Sequence, residues 1–244
     1  MAFANKGFEK SSVIAASGMR YELLAFVPRS LREGGIRQAA KEISGIFGKA
    51  FYGDSETPSG WPAEKVETRL GEISLGYLVH KEGTQERIGY ALFETIPSGA
   101  GDILYVASIG FSHQGLGLGR VLVQDAAASS QNRIVAARTQ NPNLIKMLYG
   151  LKPKALLPID EDYTASETNR KIFDALRAKN IQKHNADVEL TGLCKQAYHE
   201  GKLGLYTSDQ TDPLAMKILR RFGEIGLNQV RGDALMVAAK LDFI

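Results

Sequence analysis

Apolar and polar positions alternate over Arg20–Val27 closely enough for a strand, which Pro28 ends. Between Leu31 and Phe51 the apolar residues fall at 36, 39, 40, 43, 46, 47, 50 and 51. That is the spacing of an amphipathic helix, weakened by Gly45 and Gly48. Gly53–Pro62 is rich in Gly, Pro, Ser and Asp and reads as a loop, and Pro62 at a first helical position starts a second helix to about Leu70. Ser74–His80 and Arg87–Ile96 read as strands of a hairpin turning through Lys81–Glu86. After the turn Pro97–Gly101 comes an apolar strand ending at Phe111. A helix from about Leu118 to Ser130 follows, then a strand Arg133–Thr139. Asn141-Pro142 stops that strand and starts a helix over 143–150, closed by Gly150.

The last third is less regular. Ala165–Lys179 reads as a helix with Ser166 as its cap and Ile172, Phe173 and Leu176 on one face. Val188–His199 reads as a second, short helix. Asp212-Pro213 opens a helix through Phe222, and Asp233–Leu241 is an apolar strand. A further strand is expected at either Leu156–Ile159 or Leu203–Thr207. No internal repeat or low-complexity segment is visible.

The chemistry concentrates where the apolar strand meets the helix at Leu118. Between them runs Phe111-Ser-His-Gln-Gly-Leu-Gly-Leu-Gly-Arg120, three glycines at spacing two. A glycine-rich turn opening a helix leaves backbone N–H groups unpaired at the positive end of the helix dipole, a geometry that takes a phosphate or pyrophosphate. A P-loop would need Gly-Lys-Ser/Thr, which is absent, and a dinucleotide fingerprint needs one more residue between its last two glycines. The pattern that fits is Q-x-x-G-x-G on Gln114, Gly117 and Gly119, with the apolar Ile109 five residues ahead.

This loop, together with the element order over about 20–151, resembles the GNAT superfamily of N-acetyltransferases. The resemblance implies an α/β (α+β) fold: a mixed central sheet flanked by helices, splayed between two strands so that the pantetheine arm of acetyl-CoA enters the gap. It implies a single domain over 1–244. The core is about 20–151 plus the final strand 233–241, and a largely helical insertion at about 160–202 shapes the acceptor side. The segment Asp212–Gly223 also resembles the family's fourth helix; 141–151 is preferred because it directly follows the strand after the cofactor helix.

Residue by residue, the resemblance places the pyrophosphate on the backbone of Gln114, Gly115, Leu116, Gly117, Leu118, Gly119 and Arg120. The pantetheine lies along Ile109 and Phe111 like an added strand, and Asn141 joins the cofactor-binding set, although Pro142 occupies the usual asparagine position. Tyr149 corresponds to the tyrosine that protonates the CoA sulfur. The strand carboxylate that some members use as a base corresponds to Ile103, which cannot serve. Asp102 is one residue away, and Glu94 and Glu22 are alternatives that otherwise read as solvated carboxylates. The run Arg138-Thr-Gln-Asn-Pro reads equally as a ligand-holding cluster or as a turn with a helix cap.

Composition adds limits. The 244 residues are 44% hydrophobic and 23% charged, with formal net charge +3. This is ordinary globular composition without a dense basic block, so no nucleic-acid partner is expected, while an anionic coenzyme suits the sign. No stretch reads as a secretory or membrane segment, so a cytoplasmic protein is expected. The first residues are expected to be disordered or to cover the domain edge. A single cysteine, Cys194, reads as a small buried residue on a helix, and the four histidines lack metal-ligand spacing, so no metal is expected. The function so implied is transfer of an acetyl group from acetyl-CoA, as co-substrate, to a primary amine by direct attack. A non-catalytic acyl-CoA-binding regulatory module and an unrelated nucleotide-binding regulator are the alternatives. The acceptor, small molecule or protein, is open, and so is the oligomeric state, a dimer included. The acidic run Asp160-Glu-Asp162 is either an attraction for a cationic amine or a solvated turn.

Overall fold

The computed structural model describes residues 7–16, 19–52, 61–84, 86–113, 115–198 and 211–242. In chain order the elements are β1 (Phe8–Ala16), β2 (Met19–Phe26), α1 (Glu33–Tyr52), α2 (Ala63–Leu70), β3 (Leu75–Lys81), β4 (Arg87–Ile96), β5 (Ile103–Phe111), α3 (Leu118–Ser130), β6 (Ile134–Thr139), α4 (Pro142–Tyr149), β7 (Ala155–Leu157), α5 (Glu167–His184), β8 (Leu193–Cys194), α6 (Pro213–Glu224) and β9 (Ala234–Lys240). The fold is mixed α/β with a mostly antiparallel sheet, as expected from the element order. By contacts the chain divides into two compact units, Met1–Glu94 with Val106–Ala126, and Thr95–Tyr105 with Ala127–Ile244.

In the first unit β1, β2, β3 and β4 pair antiparallel in sequence order, and β5 follows β4. The helix α1 turns Ala39, Ala40, Ile43 and Ile46 inward, onto a core that includes Phe26, Leu78, Tyr90 and Leu92 from the strands and Val66 and Leu70 from α2. Each large apolar side chain buried there is worth about 1.5–3 kcal/mol. The β3–β4 register slips between Val79–Gly89 and His80–Arg87, leaving Ile88 as an extra residue. Such a bulge re-aims the strand end, and here Arg87 forms an ion pair with Glu42 of α1.

In the second unit β9 is the central strand. Its pairing with β6 is antiparallel, Ile134 opposite Lys240 through Thr139 opposite Leu235. Against it also lie β7, at Lys240–Ala238, and β8, at Leu235–Ala234. A strand paired on both edges and covered on both faces reads as an unbroken apolar run; six of the seven residues of β9 are buried. Tyr163 anchors the turn before α5, donating its hydroxyl to the Met236 carbonyl at 3.1 Å, with its ring 5.1 Å from that of Phe173.

Most expected elements appear within a residue or two of their expected ends; the open alternatives and the departures are as follows. Of the two alternatives for the first residues, the described ones take the second: residues 8–16 form β1 along the edge of β2. Pro62 sits one place earlier than expected, as the residue flanking α2. The extra strand is Ala155–Leu157; its alternative, 203–207, lies outside the described residues. Val188–His199 is not a helix. Its described part, to residue 198, is turns around β8, because Gly192 takes φ +83° and the Gly192 carbonyl accepts the Met236 N–H at 2.8 Å, tying the segment to β9. Cys194 is buried as expected, but on a strand, and burial pushes its thiol up to about 12. No helix among the described residues is long and apolar enough to cross a membrane.

Candidate active site

The glycine loop lies wholly in the first unit. Its exit from β5 is fixed by Ser112, whose N–H and hydroxyl both donate to the Ile88 carbonyl, at 2.8 and 3.2 Å. Phe111 is set by contact with Gly89: a Cβ there would come within 2.2 Å of the Phe111 ring. Gly115 and Gly117 then take φ +83° and +69° in the exposed turn. A Cβ at either would meet open space, so it is the left-handed backbone, not close approach, that calls for glycine here. Leu118 is buried and pins the first turn of α3, whose helical bonding begins with Val121 N–H to the Gly117 carbonyl at 3.4 Å. The N–H groups from Gly115 to Arg120 have no hydrogen-bond acceptor among the described residues. The first turn of α3 carries no acidic side chain, and Arg120 there is exposed. A donor set of this kind suits a diphosphate. Gln114 lies outside the described residues. Ile109 and Leu116 are half-buried, and His113 is exposed with its Nδ1 3.1 Å from the Ser112 hydroxyl.

Tyr149 lies in the second unit, at the end of α4, and is half-buried. Its hydroxyl donates to Asp160 Oδ1 at 2.6 Å. The same oxygen is paired with the Lys217 ammonium from α6, and Asp160 Oδ2 accepts the Leu156 N–H at 2.9 Å. Lys217 Nζ also lies 5.4 Å from the centre of the Tyr149 ring. Burial, then the bond and charge of Asp160, hold the Tyr149 phenol well above its ordinary value, so it keeps its proton. Burial alone would raise the Asp160 carboxyl; the hydrogen bonds from Lys217, Tyr149 and Leu156 outweigh it and hold the group below the usual carboxylate range. Asp160 and Lys217 carry no local sequence signal as partners of Tyr149, because α4, the turn after β7 and α6 meet only in the fold. The neighbouring acids are also matched, Glu161 to Lys240 and Asp162 to Arg221. The acidic run is thus a set of ion pairs.

The other candidates are accounted for individually. Asn141 caps α4: its side-chain oxygen accepts the Asn143 N–H at 2.9 Å, and its own N–H donates to the Thr139 hydroxyl at 2.9 Å. Arg138 donates to Asn180 Oδ1 at 3.0 Å and stands 5.4 Å from the Tyr198 ring centre. The polar junction therefore forms a turn and cap. Ile103 is fully buried, and Asp102 is exposed just ahead of β5. Glu94 is not solvated: it is 2% exposed and bonded to Arg69 at 2.6 Å. Glu22 is half-buried on β2, opposite His80. His80 itself is a buried imidazole whose value falls to about 4, through burial and the charge of Arg87. An open groove of about 440 Å³ lies beside the end of α6, lined by Leu219, Phe222, Leu227 and Val230 among others, and includes none of the expected site residues.

No protein-family profile and no curated protein sequence matches the chain. Among solved structures it is similar to a yellow fever mosquito protein assigned as arylalkylamine N-acetyltransferase 7, at 9% identity and TM-score 0.44, over 66% of this chain and 86% of the other. A GNAT-family acetyltransferase from Listeria monocytogenes is similar at 14% identity and TM-score 0.39, over 57% and 88%. A Pyrococcus horikoshii protein assigned as an acetyltransferase is similar at 12% identity and TM-score 0.42, over 96% and 93%.

Proposed function

We propose that this chain is an acyl-CoA-dependent N-acyltransferase, moving an acetyl group from acetyl-CoA to a primary amine by direct attack. The observation that carries the reading is the loop from Ser112 to Arg120. Two left-handed glycines lead into a first helical turn without an acidic side chain, and the N–H groups from Gly115 to Arg120 have no acceptor among the described residues. In this reading the donors from Gly115 to Arg120 hold the coenzyme diphosphate, and the main chain at Ile109 and Phe111 pairs with the pantetheine amides as an extra strand would. Asn141, its side-chain oxygen already engaged as a cap, is a weaker member of that set.

The chemistry asks little of the protein beyond placement, because a thioester is already activated. The amine nitrogen forms a bond to the thioester carbon, the carbon–sulfur bond breaks, and the proton lost by nitrogen is balanced by the one gained by sulfur. Tyr149 is the proposed acid toward sulfur. No side chain is assigned as the base: Asp102, although exposed, has no partner chemistry that singles it out, and ordered water suffices. A second reading, an acyl-CoA-binding module without turnover, is favoured by Ile103 at the strand position where a carboxylate would serve.

Release of the free CoA thiol, followed over a panel of amines with acetyl-CoA as donor, tests the proposal. Turnover with any amine supports it. Heat of acetyl-CoA binding without turnover supports the second reading, and the absence of any binding heat removes both.

A further inference from the structure

The bond from Tyr149 to Asp160 matters for any proton transfer by Tyr149, because a phenol that donates to a carboxylate has committed its proton. Three observations bear on how that commitment is managed. Asp160 does not depend on Tyr149 for its satisfaction: Lys217 and the Leu156 N–H each donate to it as well. Lys217 is shared, touching the carboxylate and standing 5.4 Å from the centre of the phenol ring. All three side chains are held by different elements, α4, the turn after β7 and α6, so their meeting is a product of tertiary packing. Asp162 and Glu161, the acids nearest in sequence, are taken up by Arg221 and Lys240 and leave the trio undisturbed.

We propose that Asp160 and Lys217 are positioning residues for Tyr149: the carboxylate fixes the place of the phenol oxygen, and the ammonium offsets the charge when the phenol gives up its proton. This inference rests on the acid role proposed for Tyr149. The step is balanced as follows. The Tyr149 O–H bond turns from Asp160 and breaks as the S–H bond of free CoA forms. The phenolate then takes the proton shed by the acylated nitrogen, so one proton has passed from nitrogen to sulfur and Tyr149 ends as it began. While Tyr149 is turned away, Asp160 keeps its bonds to Lys217 and Leu156 and is never left as a bare charge. The phenolate is faced by the same ammonium, whose field favours the charged ring.

A double-mutant cycle on the full-length protein tests this, with Tyr149→Phe, Asp160→Asn and the pair, each read as kcat and KM in CoA release. Asn keeps the shape of Asp and an acceptor for the Leu156 N–H. Tyr149→Phe is expected to lower kcat by about 10²-fold, the ordinary contribution of a positioned acid. Asp160→Asn is expected to lower kcat about tenfold with KM for acetyl-CoA unchanged, and to lose that effect when combined with Tyr149→Phe. Lys217→Met should lower kcat in the same Tyr149-dependent way. In parallel, tyrosine-ring 13C NMR across alkaline pH reads the phenol directly and needs no turnover. The Tyr149 resonance should titrate at least about one pH unit lower in Asp160→Asn than in the parent. Additive kcat effects, or an unmoved Tyr149 titration, overturn the inference while leaving Tyr149 as the acid. Full activity in Tyr149→Phe removes the acid role and the inference with it.

Discussion

Gly117 takes the main chain through φ +69° on its way into α3, with open space where a side chain would go. Two effects can therefore be separated at this residue. Gly117→Ala meets no steric wall and carries only the cost of a left-handed backbone, about 1–2 kcal/mol of stability in a urea titration. Gly117→Glu adds a carboxylate at the row of N–H donors and is expected to abolish coenzyme A binding; calorimetry reporting an unchanged affinity for that variant would refute the loop assignment. The left-handed turn at Gly115 and Gly117 could be read from the chain because its chemistry is local: the spacing of the glycines and their neighbours is enough to suggest it. Tyr149 stands out in the sequence because the residues around it lie on one short helix, and its role is a proposal. Asp160 and Lys217 could not, since nothing in a linear chain marks a contact between residues that meet only through packing. The buried pairing of Glu94 with Arg69 was hidden for the same reason.

Helix ends show how far local chemistry carries at the scale of elements. Ser166 accepts the Asn169 N–H at 3.1 Å and starts α5, and Asp212 accepts the Leu214 N–H at 2.9 Å and starts α6, both as their residue types suggest. Ser166→Ala is expected to destabilise the protein by about 1 kcal/mol, seen as a lower urea midpoint with an unchanged m-value. Strand-like segments were less legible. The order of β1 comes from its pairing with β2 rather than from a strong alternation of its own, so its sequence says little about it. Residues 188–198 fail in the opposite sense. Their apolar spacing imitates a helix, but Gly192 interrupts it and hydrogen bonding to β9, far along the chain, decides the outcome. Local periodicity describes an element well when the element satisfies its own backbone, and poorly when a distant strand does so.

Over the whole molecule, stability should depend on acid through His80. Its imidazole is buried, beside Arg87 and opposite Glu22, with its value lowered from 6.5 to about 4. The unfolded chain therefore binds a proton below about pH 6.5 that the folded chain refuses until about pH 4. Stability is full above that window and falls as pH drops through it, by about 3 kcal/mol in all. The raised Glu42 carboxyl works the other way, favouring the folded state when protonated, and tempers the fall. Thermal melts at pH 7 and pH 5 should show a drop in Tm that His80→Gln reduces; an identical drop in the variant would exclude His80 as the cause.

The position of β9 also bears on synthesis. It occupies the space between β6 and β7, yet it is made after both. While a ribosome is still extending the chain, β6 and β7 emerge with bare edges that only a later segment can fill. Until then they are open to pairing with neighbouring nascent chains, which makes this half of the protein the part most in need of a chaperone.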